Sequence, residues 1–199
     1  MRTVDHKLHE KRRLQILDAA LKCFVKHGFH QASMKQICDA AKMSPGNLYR
    51  YFKSKDEIIL AASDFESEWI LKAMHKLKSS KNLSRALTKL MVSIIKSESS
   101  PDSSKLLLEI YAESARNPVL MKKFIENDQR DRKALADLIL MAQKDGRASP
   151  MIDPNQIAEA IVALVDGFTT RPALDPDFKL RRAEKTIRNI VDNLLAPPI

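Results

Sequence analysis

Apolar and polar residues follow one another with helical spacing along almost the whole chain. Apolar positions recur at i, i+3 and i+4, glycine occurs four times in 199 residues, and no convincing strand pattern interrupts them. The pattern predicts an all-α chain of about nine helices. The first covers about 10–26, with Leu14, Leu17, Leu21, Phe24 and Val25 on one face and Ile16, Ala19, Ala20 and Cys23 widening it. Gly28 ends it, just after Lys26 and His27, cations suited to the negative end of a helix. Three further helix starts then fall within 22 residues. Ser33 with Gln36 has capping-box spacing, Ser44 precedes a proline at a first helical position, and Ser54 with Glu57 repeats the capping box. The second helix is expected to bury Ile37, Ala40 and Ala41. The third covers only about 45–51, and the fourth runs to about 77 through Ile58, Ile59, Ala62, Phe65, Trp69 and Met74. Five more are expected near 83–95, 102–116, 118–144, 154–170 and 176–195, with the serine-rich run 96–105 read as an exposed loop and the last residues as a frayed tail.

Two short helices joined by about four residues, after a longer one, match a helix-turn-helix, in which the last helix enters the major groove. Leu48 and Phe52, four apart, would point into its core and leave Pro45, Gly46, Asn47, Tyr49, Arg50 and Tyr51 outward. Gly46 costs about 1 kcal/mol of helix stability against alanine, but it lets the backbone approach a phosphate or base edge. Lys55 stands in a first turn that favours anions, an unfavourable place for a cation unless it meets one. Charge sharpens the picture. The net charge is +9, and residues 1–60 hold 12 Lys and Arg against 6 Asp and Glu. That block suits phosphates, although it would equally suit an acidic protein. Arg2, Lys7, Lys11, Arg12 and Arg13 form an arm that either reaches into the minor groove or remains mobile.

Other chemistries find little support. No apolar run approaches the roughly 18 residues of a membrane span, and the N-terminus lacks the features of a secretory signal, so a cytoplasmic protein without membrane attachment is expected. Cys23 and Cys38 lack C-x-x-C spacing and read as reduced core residues. His6, His9, His27 and His30 have no ligand spacing, so no metal and no cofactor are expected. The absence of G-x-S-x-G, a Walker loop, H-E-x-x-H or a dinucleotide turn argues against an enzyme.

The run S-M-K-Q-I-C-D-A-A-K-M-S-P-G-N-L-Y-R-Y-F-K-S-K-D-E-I-I, beginning at Ser33, resembles the DNA-binding signature of the tetracycline-repressor (TetR) family. The resemblance implies a DNA-binding domain over 1–55, a fourth helix continuing as connector to about 78, and a ligand-binding and dimerisation domain over 56–199. By position, Ser33 and Lys55 would contact phosphates, and Tyr49 and Tyr51 would brace the backbone through their hydroxyls. Asn47 and Arg50 would read bases, Pro45 and Gly46 would make close apolar or main-chain contacts, and Ser44 joins the DNA-binding set. Pro45 departs from the pattern, because it offers neither an N–H nor a polar side chain. Ser33, Ser44 and Ser54 serve as caps whether or not DNA is touched.

The remaining helices would supply dimerisation and a signal. Ile157, Ile161, Leu164 and Phe168 on one helix and Ile187, Ile190, Val191 and Leu194 on the last are expected at a four-helix subunit interface, with burial inside the monomer as the other reading. Trp69, Met91, Tyr111, Phe124 and Met141, with Leu108 and Leu138, are candidates to line an effector pocket, although such stripes are more often core. Glu109, Glu113 and Asp166 would favour a cationic ligand if they face inward. The reading is a homodimeric, ligand-responsive repressor on a palindromic double-stranded operator, answering to an unidentified small-molecule effector. The alternative is a DNA-binding protein governed by a protein partner, or a nucleoid-associated factor, with no small-molecule effector.

Overall fold

A computed structural model describes residues 6–196, so Arg2 of the arm and residues 197–199 of the tail lie outside the described residues. Among the described residues the elements are α1 (His6–His27), α2 (Met34–Ala41), α3 (Pro45–Leu48), α4 (Lys55–Leu77), α5 (Leu83–Ser97), α6 (Pro101–Ser114), α7 (Pro118–Lys144), α8 (Pro154–Leu174) and α9 (Leu180–Leu195). None of these helices is long and apolar enough to cross a membrane.

The serine-rich segment is largely helical. Ser100 Oγ accepts from Ser103 N at 3.0 Å, with Pro101 at the first helical position, repeating the serine–proline start seen at Ser44–Pro45. Its polar residues are mostly the solvent face of α6, which mimics a loop in composition. The buried Ser104 hydroxyl lies 2.8 Å from the Glu98 carbonyl and 2.7 Å from that of Thr169. α8 continues through Pro172 to Leu174. Only part of one turn lies beyond the proline, so little helix depends on the missing N–H.

The chain forms two compact units, which cut across the division expected at residue 55. One comprises Met1–Phe65 with Leu106–Lys123, the other Glu66–Lys105 with Phe124–Ile199. In the first, α1 packs on α2 and α2 on α3. α1 buries Ile16, Leu17, Ala19, Ala20, Cys23 and Phe24, while Leu14 and Leu21 stay partly in solvent, a face rotated from the one expected. α2 buries Cys38 with Ile37 and Ala41 and leaves Ala40 exposed. Both cysteines are free and buried, and burial pushes both thiols up.

The second unit has its core among α5, α7, α8 and α9. Ile157, Ile161, Ile187 and Val191, expected at a subunit interface, are 0–2% exposed inside this core. Their apolar surface is already used within the subunit. Leu164, Phe168 and Leu194 pack against the core while remaining partly accessible, and Ile190 is half-buried. Met91, expected at a pocket, is a core residue at 2% exposure, as is Leu138 at 1%.

One core group is poorly served. The Thr88 hydroxyl is buried with no hydrogen-bond partner among the described residues, and burying an unpaired hydroxyl costs stability. Thr88→Val, which keeps the shape, is expected to raise unfolding stability by about 1 kcal/mol. Urea unfolding at fixed protein concentration checks this, and a destabilised variant would contradict it.

Candidate nucleic-acid interface and carboxylate cluster

The reading head is built from its caps. Ser33 and Gln36 form the full capping box: Gln36 N donates to Ser33 Oγ at 3.2 Å, and Ser33 N donates to Gln36 Oε1 at 2.8 Å. The Ser33 hydroxyl also lies 3.0 Å from Gln36 Oε1, so a phosphate would compete with Gln36 for its proton. α2 ends at Lys42, whose φ of 53° is left-handed and turns the chain towards α3. Ser44 caps with its backbone, its carbonyl accepting from Asn47 N and Leu48 N at 3.0 Å, while its exposed hydroxyl makes no capping bond. At α4, Glu57 N donates to Ser54 Oγ at 3.2 Å as expected, but the Glu57 carboxylate accepts from Lys53 N at 2.6 Å.

α3 has four residues, and Leu48 at 0% and Phe52 at 2% exposure anchor it and the turn that follows. Pro45, Gly46, Tyr49 and Arg50 are exposed and Asn47 and Tyr51 half-buried. Lys53 Nζ donates to the Tyr49 carbonyl at 2.7 Å, placing a cation at the negative end of α3. Tyr51 does not stand free: its ring lies 4.8 Å from that of His9 on α1. Arg13 stacks over Phe52 at 4.7 Å, so this member of the basic arm is partly spent on packing, whereas Lys11 and Arg12 are exposed. Nothing lies within 4 Å of where a Cβ on Gly46 would stand, so the protein itself does not require glycine there.

Lys55 has a different place from the one expected. Its ammonium donates to the carbonyls of Phe29 at 2.6 Å and His30 at 3.0 Å and sits 4.9 Å over the Phe29 ring. It is a strut for the α1–α2 turn, which explains a cation in a first turn without invoking an anion.

The expected pocket residues divide between the two units. Tyr111 belongs to the first, and so do Glu109 and Glu113, both occupied there: Glu109 accepts from Phe29 N at 2.7 Å and Glu113 faces His30 at 3.3 Å. Trp69, Phe124, Met141 and Asp166 belong to the second, with Trp69 45% exposed. That unit gathers four carboxylates, Glu66, Glu98, Asp131 and Asp166, of which only Asp166 is marked out by the sequence. Burial first, then repulsion from the other three, pushes the Glu66 carboxyl up to about 7. Glu66 nevertheless keeps accessible surface. Burial also raises Glu98, and raises Asp131 despite a hydrogen bond from Ser67 Oγ at 2.5 Å and the nearby Arg130. The missed signal is the acid Glu66 at helical spacing between Ala62 and Trp69. Among the described residues no group of His, Cys, Asp and Glu is arranged to hold a metal ion.

Buried anchors beneath a half-buried amide and an exposed phenol and guanidinium on a basic module define a helix-turn-helix DNA-binding regulator. Known proteins agree. Residues 16–62 match the family described as "Bacterial regulatory proteins, tetR family", and residues 83–196 match "BetI-type transcriptional repressor, C-terminal". The HTH-type transcriptional regulator UidR of Escherichia coli K12 is 30% identical over 155 residues, 78% of each chain. The structure of Salmonella enterica GusR superposes with a TM-score of 0.75 at 28% identity, over 93% of this chain and 95% of that one. A transcriptional regulator from Saccharomonospora viridis, solved in complex with choline, shares the fold with a TM-score of 0.71 at 18% identity, over 94% and 98%. The chain belongs to the TetR family of transcriptional regulators.

Two substitutions separate reading from support. Gly46→Ala meets no protein atom and is expected to hold or raise stability while weakening operator binding, because any clash is with DNA. Equal affinity in a binding titration would remove close backbone approach from the account. Arg50→Ala is expected to relax preference at one position of each half-site at a cost of about 1–3 kcal/mol, and an unchanged site preference would remove it from the readers.

Proposed function

We propose that the protein is a homodimeric repressor that reads a palindromic operator through α3 and is released by a small organic cation. The observation that carries the DNA-reading part is the exposure of Tyr49 and Arg50, beside half-buried Asn47, over the buried Leu48 and Phe52. Ser44, Pro45 and Gly46 meet the duplex at the start of α3. Ser33, Tyr51 and Lys55 support the reading head, each with an intramolecular contact of its own. With Ile157, Ile161, Ile187 and Val191 committed to the core, Leu164, Phe168, Ile190 and Leu194 remain for a two-fold contact. Small exposed residues on α8, Ala160, Ala163 and Gly167, would let a partner helix approach. A DNA-bound regulator of this kind works in the cytoplasm.

The carboxylate cluster supports the effector class. Glu66, repelled by Glu98, Asp131 and Asp166, would gain from a cation beside it, and Trp69, one turn away, offers a face for cation–π contact. The choline held by the Saccharomonospora viridis protein, which shares the fold, is a cation of this class.

Selection of bound fragments from random DNA, with the mass of the protein measured in solution, tests the first part. A short palindrome bound by a dimer is expected. No sequence preference, or a stable monomer, would overturn the reading in favour of a nucleoid or partner-controlled protein.

Choline serves as a probe for the second part. Because Glu66 titrates near 7, a cation that needs it ionised should bind more tightly as pH rises from about 6 to 8 and should release protons on binding. Calorimetry in buffers of different ionisation enthalpy measures both, and binding that weakens with rising pH would contradict the assignment. The same shift has a sign for folding. The folded chain holds this proton more tightly than the unfolded one, so the contribution is full below about 4.5 and is lost as pH rises through about 7.

A further inference from the structure

The α1–α2 turn is held between opposite charges. Phe29, 3% exposed, gives its N–H to Glu109 Oε2 at 2.7 Å and receives Lys55 Nζ on its carbonyl at 2.6 Å. Both polar groups of one peptide residue are thus met by ionised side chains, and charge-assisted bonds are about twice as strong as neutral ones. The neighbouring residue is fitted to this clamp. Gly28 has φ +76°, and a Cβ there would stand 3.2 and 3.3 Å from the two Glu109 carboxylate oxygens, so the carboxylate occupies the space a side chain would take.

Two more contacts continue the line at four-residue intervals. Glu113 faces His30 at 3.3 Å, and Asn117 Nδ2 donates to Asp56 Oδ2 at 3.0 Å. Spacing of i and i+4 places Glu109 and Glu113 on one face of α6, and Asn117 follows in the turn before α7. Four residues beyond Phe29, Ser33 caps α2, and α2 carries α3. The place of the turn therefore sets where α2 begins and how α3 is presented.

We propose that Glu109 is a positioning residue for operator reading, fixing the α1–α2 turn from α6 by accepting the Phe29 N–H. This rests on the DNA-reading role of α3. The test uses the full chain with Glu109→Ala, Glu109→Gln and Glu109→Asp. Exchange of the Phe29 amide is measured by NMR or fragment-resolving mass spectrometry, alongside titration of a selected operator over a range of salt.

Glu109→Ala is expected to speed Phe29 exchange and to weaken the operator by about tenfold. The salt slope should not change, because no phosphate contact is lost. Glu109→Gln keeps an acceptor oxygen and is expected to recover most of the affinity, a rescue that loss of packing alone would not produce selectively. Glu109→Asp keeps the charge but falls short by one methylene and should behave like alanine; it decides the matter if the alanine variant fails to fold. Wild-type affinity in the aspartate or alanine variant, or unchanged Phe29 exchange in either, would overturn the proposal alone. A wild-type chain that selects no site would overturn the regulator reading and this proposal with it.

Discussion

A helix of four residues cannot hold itself together. Isolated helices below roughly 12 residues are marginal in water, so α3 keeps its geometry only because Leu48 and Phe52 are sunk in the core of its unit. The chemistry of recognition depends on that anchorage. Exposed Tyr49 and Arg50 and half-buried Asn47 contribute little to folding where they stand, and they can be aimed at base edges because two apolar side chains carry the mechanical burden. Lys53 at one end of α3 and the Ser44 carbonyl at the other complete the support.

The anchorage extends outward in layers. α3 is held by α2, α2 begins at the Ser33–Gln36 box, and the turn before that box is held by Lys55 and Glu109. Lys55, which the family resemblance assigns to phosphate, and Glu109, expected to face an effector, both bond the Phe29 backbone instead. A brace of this kind acts on affinity without touching DNA, which is why its loss should leave the number of phosphate contacts unchanged.

Local rules made the helix-turn-helix legible. Capping boxes at Ser33 and Ser54 and the Ser44–Pro45 start are short-range signals, and the pairs they imply are largely present. Where the reading slipped, long-range packing decided. The buried face of α1 is rotated towards Ile16 and Ala20, away from Leu14 and Leu21, because periodicity gives the width of an apolar stripe more reliably than its centre. Glu109 meets Phe29 across 80 residues of chain, a distance at which spacing carries no information. Ile157 and Val191 show the same limit for interfaces: apolar residues at helical spacing look alike whether they face their own core or a second subunit. The carboxylate cluster draws on α4, α7, α8 and the residue after α5, so no local motif announces it.

Protection of guanine N7 from dimethyl sulfate on a selected operator tests most directly the claim that α3 reads the major groove in pairs. Two protected clusters in the major groove are expected, related by a two-fold axis and separated by about one helical turn or a multiple of it. Guanine N7 left unprotected while only adenine N3, in the minor groove, is shielded from the same reagent, or a single cluster without symmetry, would contradict the claim.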